Sequence, residues 1–195
     1  MLGNSLLRSN PLVVVDVGAS GGLDPRWSHF TSEYKAILFE PDPREFERLK
    51  GQRGPGLLVL DAALADAPRT LDLNLCVKQE LSSLYVPNYD FLKKFRKAER
   101  FGIVKSVRLG ADSLRNQLEI NGIQGIDFMK LDTQGCELQI LRGSAEYLDS
   151  ATGLEIEVEF SPVYCSQPLF GEVDAFVREQ GFELFDIRRH YWKRN

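Results

Sequence analysis

The stretch Leu12–Gly22, LVVVDVGASGG, constrains the fold more than any other. Leu12-Val13-Val14-Val15 is apolar and rich in β-branched residues, the composition of a strand covered on both faces. It runs into Asp16 and then Gly18-Ala19-Ser20-Gly21-Gly22. A buried strand ending in a glycine-rich turn opens a nucleotide-type α/β domain. Glycine permits the sharp turn and a close backbone approach to a ligand, because no Cβ intervenes. A dinucleotide site wants G-x-G-x-x-G, so that bare N–H groups meet a pyrophosphate. Here the glycines fall at 18, 21 and 22, and Asp16 would repel a pyrophosphate at the mouth. The same carboxylate suits the sulfonium and ammonium of S-adenosylmethionine, which carries no phosphate. The pattern favours S-adenosylmethionine over NAD. A tight turn with no ligand is the plain alternative.

The strand–acid pattern recurs. Lys35–Phe39 reads as a second strand, ending in Glu40-Pro41-Asp42-Pro43. An acid at that tip accepts two hydrogen bonds from a ribose diol, unless it only starts the helix Arg44–Lys50. Gly56–Leu60 is a third strand, followed by Asp61-Ala62-Ala63-Leu64. The alanines leave room for a flat base, and Asp61 could accept from its exocyclic amine. Thr70–Leu75 alternates like an edge strand. Ile126–Leu131 is the next strand, then Asp132-Thr133-Gln134-Gly135 and a helix over Glu137–Arg142. Ligands of open α/β sheets sit beyond the carboxyl ends of the strands, which puts Asp132 at the site unless it merely caps that helix. Gly153–Phe160, GLEIEVEF, reads as a strand with Glu155, Glu157 and Glu159 on one face. Three carboxylates cannot be buried unpaired, so that face is wet, partly paired or open to a cleft.

Residues 76–106 exceed a minimal βα repeat and form an insertion or lid. Phe91, Phe95 and Ala98 mark one face of a helix, with Lys93, Lys94, Arg96, Lys97 and Arg100 around the rest. That is a solvated surface helix, or a lid offering cations to an anionic substrate. Val104–Leu109 reads as a strand, and Asp112–Ile120 as a helix capped by Asp112 or Ser113 and ended by Gly122. Phe170–Gln180 is a helix closed by Gly181, and Phe182–Ile187 the last strand. The 195 residues make one domain, 1–195, with a sizeable core. A net charge of −4 argues against a dedicated nucleic-acid binder. No run is long enough for a membrane span, and Met1–Pro11 lacks the apolar core of a signal peptide. Cys76, Cys136 and Cys165 are scattered and only His29 and His190 occur, so no metal is expected. Reduced thiols imply the cytoplasm.

Taken together, DVGASGG at 16–22, FEPDP at 39–43, DAALAD at 61–66, LSSL at 81–84, KLDTQGCELQILRG at 130–143 and LEIEVEF at 154–160 resemble the FkbM-type methyltransferases. The resemblance runs over roughly residues 12–187, and 130–143 is its most specific part. It implies an α/β, doubly wound, Rossmann-like class I methyltransferase fold: a seven-stranded, mostly parallel sheet with helices on both faces. It also implies an S-adenosylmethionine-dependent O-methyltransferase acting on hydroxyls of sugars, glycans or secondary metabolites. By position, Asp16, Gly18 and Gly22 fall where the methionine part binds, Glu40 at the ribose, and Asp61 and Ala62 at the adenine edge. Lys130, Asp132 and Glu137 fall near the transferring methyl group. The expected cofactor-binding set is Asp16, Gly18, Ala19, Ser20, Gly22, Glu40, Pro41, Asp61, Ala62 and Ala63. Ser20 departs from the family's usual asparagine. The chain also ends soon after its sixth strand, so a closing strand would have to come from the last few residues. No histidine accompanies any motif, so the base that takes the acceptor's proton is a carboxylate, Asp132 or Glu157, with Lys130 orienting them or holding the substrate. The competing readings are a non-catalytic interaction module with a vestigial fold and an NAD-dependent oxidoreductase.

Overall fold

A computed structural model describes Leu7 and residues 9–30, 33–52 and 56–189. Among these, eight strands follow in chain order: Leu12–Val17 (β1), Tyr34–Phe39 (β2), Leu57–Leu60 (β3), Ala63–Ala65 (β4), Arg69–Cys76 (β5), Ile103–Ser113 (β6), Phe128–Leu131 (β7) and Gly153–Ile156 (β8). The α-helices are Pro43–Leu49 (α1), Tyr89–Leu92 (α2), Leu114–Ile120 (α3), Glu137–Arg142 (α4), Ala145–Leu148 (α5) and Phe170–Glu179 (α6). The main sheet is parallel throughout, in the order β3-β2-β1-β7-β8. The central β1 is apolar along its length because both faces are covered. Val15 and Val17 join Ile37, Phe39, Met129 and Leu131 in a core closed by α3, α4 and α6. On the other face Ala36 and Leu38 pack on Leu49 at the end of α1 and on Ala19 of the glycine turn. This is the doubly wound, Rossmann-like layering that the sequence predicts.

Five strands, not seven, form that sheet. β4, β6 and β5 make a second sheet in that order, with β5 antiparallel to β6. The run after Leu60 therefore does not stop at a strand tip. It turns directly into β4, which pairs in parallel with the end of β6. There Ser113 caps α3, its Oγ accepting from Asn116 N–H at 3.1 Å.

Three expectations are corrected. The cationic helix across Phe91, Phe95 and Ala98 does not form. Lys97 sits at φ 63°, left-handed, and splits the run into α2 and a single 3₁₀ turn over Ala98–Phe101. Leu92 and Phe101 instead bury against Val163 and Tyr164, which fastens the insertion to the loop after β8. The strand over Gly153–Phe160 ends at Ile156, where pairing with β7 ends at Leu131. Phe182–Ile187 is no strand. Among the described residues β8 is the edge of the sheet and this run bonds to no strand, and Leu184, Phe185 and Ile187 are exposed. A closing strand from Tyr191–Asn195 lies outside the described residues.

Candidate functional site

Beyond the carboxyl ends of β1, β2 and β7 lies a cavity with about 660 Å³ of empty space, open mouth included. The glycine turn forms one side. Gly18 has φ +77°, and a Cβ there would stand 1.9 Å from the carbonyl oxygen of Asp132, so only glycine lets the turn cross the end of β7. Gly18 and Ala19 donate their N–H groups to the Phe39 carbonyl at 3.0 and 3.2 Å. Gly21 donates to Glu45 Oε1 at 2.7 Å. Arg48 also pairs with Glu45 and, with that N–H, holds its carboxyl below the usual range. Glu45 thus pins the turn to α1, a role the sequence reading missed.

Glu40 is buried at the tip of β2, and burial pushes its carboxyl up to about 7. Its Oε1 accepts from Asp42 N–H at 2.9 Å. Asp42, not Glu40, caps α1, accepting from Arg44 N–H at 2.9 Å. The acidic residues Glu40, Asp42, Glu45, Glu80 and Asp132 line the cavity, Asp42 and Glu45 paired with Arg44 and Arg48, and among the described residues no lysine, arginine or histidine is part of the lining itself. Gly18, Ser20, Glu40, Pro41, Ala62 and Ala63 of the expected cofactor set also line it. Ala19 is buried against the core beneath the turn, Gly22 stands outside the lining, and Asp61 is exposed to solvent beside it.

Asp16 is not at the mouth. Strand register sets it opposite Lys130, and Lys130 opposite Glu155. Lys130 Nζ lies 3.2 Å from Asp16 Oδ1 and 3.6 Å from Asp132 Oδ2. Arg26 continues the row, forking onto Glu155 and pairing with Asp24 at 2.7 Å. Burial raises the Asp16 carboxyl and Lys130 draws it back down in part. For Lys130, burial opposes the charge, and Asp16, Asp132 and Glu155 outweigh it, so the ammonium is held. Asp16 is therefore ion-paired within the sheet and is not among the residues lining the cavity.

Asp132 and Glu157 leave the ends of the neighbouring strands β7 and β8 and meet at Gln134. The Gln134 Nε2 donates to Asp132 Oδ1 at 3.1 Å and also to Glu157 Oε2. Burial pushes the Glu157 carboxyl well above the usual range, and the neighbouring Asp132 charge pushes it further. Glu159, whose Oε2 accepts from Gln167 Nε2 at 2.8 Å, is raised to about 7, mainly by burial. Glu137 is buried differently: it accepts from the N–H groups of Thr133 and Gly135 and from the Thr133 hydroxyl, and so braces the loop. Asp132 does not cap α4, whose N-cap is Cys136. It faces the cavity on one side and Glu157 on the other. Such a pair can accept a proton at the wall of the cavity. Gln134, Ser83 and Tyr164, which join this arrangement, were not singled out from sequence. Ser83 and Gln134 stand within visible motifs, whereas Tyr164 contacts Leu81 and Gln134 only through the fold.

Among the described residues no helix is long and apolar enough to cross a membrane. Comparison with known proteins bears directly on the site. The chain is 24% identical over 190 residues to the 2-O-methyltransferase NoeI of Sinorhizobium fredii (strain NBRC 101917 / NGR234), covering 92% of this chain and 76% of the relative. It is 25% identical over 202 residues to the methyltransferase sdnD of Sordaria araneosa, covering 91% and 76%. No solved structure gives a significant match. The model of the methyltransferase FkbM domain matches residues 16–184, a span that takes in the glycine turn, the cavity and the paired carboxyls. On that match, and on a sheet of the class I methyltransferase type, the chain belongs to the FkbM methyltransferase family.

Proposed function

We propose that the chain transfers a methyl group from S-adenosylmethionine to a hydroxyl oxygen of a sugar, glycan or secondary metabolite. One observation carries the choice of donor: five acidic residues line the cavity, only Asp42 and Glu45 of them matched by arginines, and among the described residues no cation is part of the lining. That lining matches a sulfonium and an ammonium and opposes the pyrophosphate of NAD. Glu40 keeps Oε2 free of the Asp42 N–H and offers it to a ribose diol, while Ala62 and Ala63 leave space for a flat base. When bound, the donor supplies a methyl group already activated on sulfur. The chain's task is then to align the acceptor oxygen, worth up to about 7–11 kcal/mol in favourable cases, and to take its proton. Asp132 and Glu157 take the proton, and Lys130, 3.6 Å from Asp132, keeps that carboxylate oriented. An oxygen acceptor is supported by the 2-O-methyltransferase name of the relative NoeI. The free thiols Cys76, Cys136 and Cys165 fit a reducing, cytoplasmic compartment. The test is a methyl-transfer screen with radiolabelled donor over sugars, glycolipids and small phenols. Label is expected in a hydroxyl compound. Binding of S-adenosylhomocysteine with no transfer to any acceptor would favour an interaction module.

A further inference from the structure

Two carboxyls that converge in a buried site either repel or close onto one shared proton. Asp132 and Glu157 repel directly, the Asp132 charge pushing the Glu157 carboxyl up, and the Gln134 amide bridges the two. An NH₂ group has two hydrogens, and Gln134 points one at each carboxyl. Its oxygen end is fixed by Tyr164, fully buried, with Oη 2.8 Å from Gln134 Oε1. Turning the amide over would lose that bond and set its oxygen against two carboxyl groups. The Gln134 backbone has φ +60°, a left-handed state that a non-glycine residue keeps only where its surroundings hold it. Ser83 Oγ supplies a hold, donating to the Gln134 carbonyl at 2.7 Å.

We propose that Gln134 is a positioning residue of the methyl-transfer site, giving Asp132 and Glu157 one hydrogen bond each so that an oxygen of the pair stays open to the acceptor hydroxyl. The inference rests on the reading that a carboxyl of this pair takes the acceptor's proton. The charged and titratable groups facing the pair are Lys130 from β7, Glu137 from the start of α4, and Glu159 and Tyr164 from the segment after β8. Tyr164 Oη also lies 3.0 Å from the Leu81 carbonyl. Tyr164 and Ser83 thereby tie the clamp to the 76–106 segment.

The test uses the full chain with Gln134→Met, which keeps length without donors, and Gln134→Gly, which suits the left-handed backbone and stays foldable if the first does not. Side-chain carboxyl titration by carbon NMR reads Asp132 and Glu157 without any acceptor. The parent pair should titrate in two linked steps. In either variant the steps should move further apart, the upper one tightening on its proton about tenfold or more. Tyr164→Phe, which frees the amide to turn, should move in the same direction by less. With an acceptor from the screen, Gln134→Met should lose about tenfold or more in kcat, with KM for the donor nearly unchanged. Carboxyl titrations identical to the parent in both Gln134 variants would overturn the proposal. A parent chain that binds no S-adenosylhomocysteine would instead sink the methyltransfer reading, and the NMR arm would still read the clamp.

Discussion

Two groups of carboxyls, one at the glycine turn and one beyond the ends of β7 and β8, are held in opposite ways. At the glycine turn, Glu45 and Asp42 each receive an arginine and a backbone N–H, so their charge is matched and their geometry locked. Beyond the ends of β7 and β8, Glu157 and Glu159 are met by the neutral amides of Gln134 and Gln167, and burial pushes both carboxyls up. A matched carboxylate keeps its charge and its place, and so fixes the turn and α1. A carboxyl facing only neutral donors changes charge easily and suits proton transfer.

Gly18→Ala should break both groups at once. Its Cβ would meet the Asp132 carbonyl oxygen at 1.9 Å, on a backbone at φ +77°. We expect a loss of more than about 3 kcal/mol in denaturant unfolding, together with loss of ligand binding. Asp132→Asn and Glu157→Gln should separate the groups. Each should keep the fold and its affinity for S-adenosylhomocysteine, and at least one should lose about 10²-fold or more in turnover, with one ionisation gone from the pH–rate profile. Turnover within about threefold of the parent in both variants would mean that alignment alone supplies the rate.

Glu40→Ala should do the converse, weakening S-adenosylhomocysteine by about 1–3 kcal/mol through loss of a charged hydrogen-bonding site. An unchanged affinity, read by calorimetry, would remove Glu40 from the site. The smallest effect is on stability against pH. Glu40 and Glu159 rise from the ordinary 4.5 to about 7 on folding, so the folded chain holds more protons between those values than the unfolded one. Their contribution is therefore greatest below about pH 4.5 and is lost as pH rises toward 7. Thermal melts of the ligand-free chain should fall across that window, and fall less in Glu40→Gln and Glu159→Gln. A parent slope matched by both variants would contradict the assignment.

What was legible in the sequence was contiguous. The run Val13–Val15 with its glycine turn, the helix Glu137–Arg142 and the cap at Ser113 all rest on neighbours in the chain. What was missed depends on register or on distant partners. The pairing of β1 with β7, which puts Lys130 opposite Asp16, is not visible along the chain. Phe182–Ile187 is apolar at 182, 184, 185 and 187, yet among the described residues it does not add to the open edge of β8. The Glu45–Gly21 contact joins a helix to a turn, and Tyr164 reaches Gln134 across the loops after β7 and β8. Each of these was a statement about packing, which hydrophobic period alone does not carry.

The account stands on the cavity being a site for S-adenosylmethionine. Calorimetric titration of the unmodified chain with S-adenosylhomocysteine, and separately with NAD, tests that directly. The account predicts saturable binding of S-adenosylhomocysteine and none of NAD. Saturable binding of NAD, or no binding of S-adenosylhomocysteine, would contradict it.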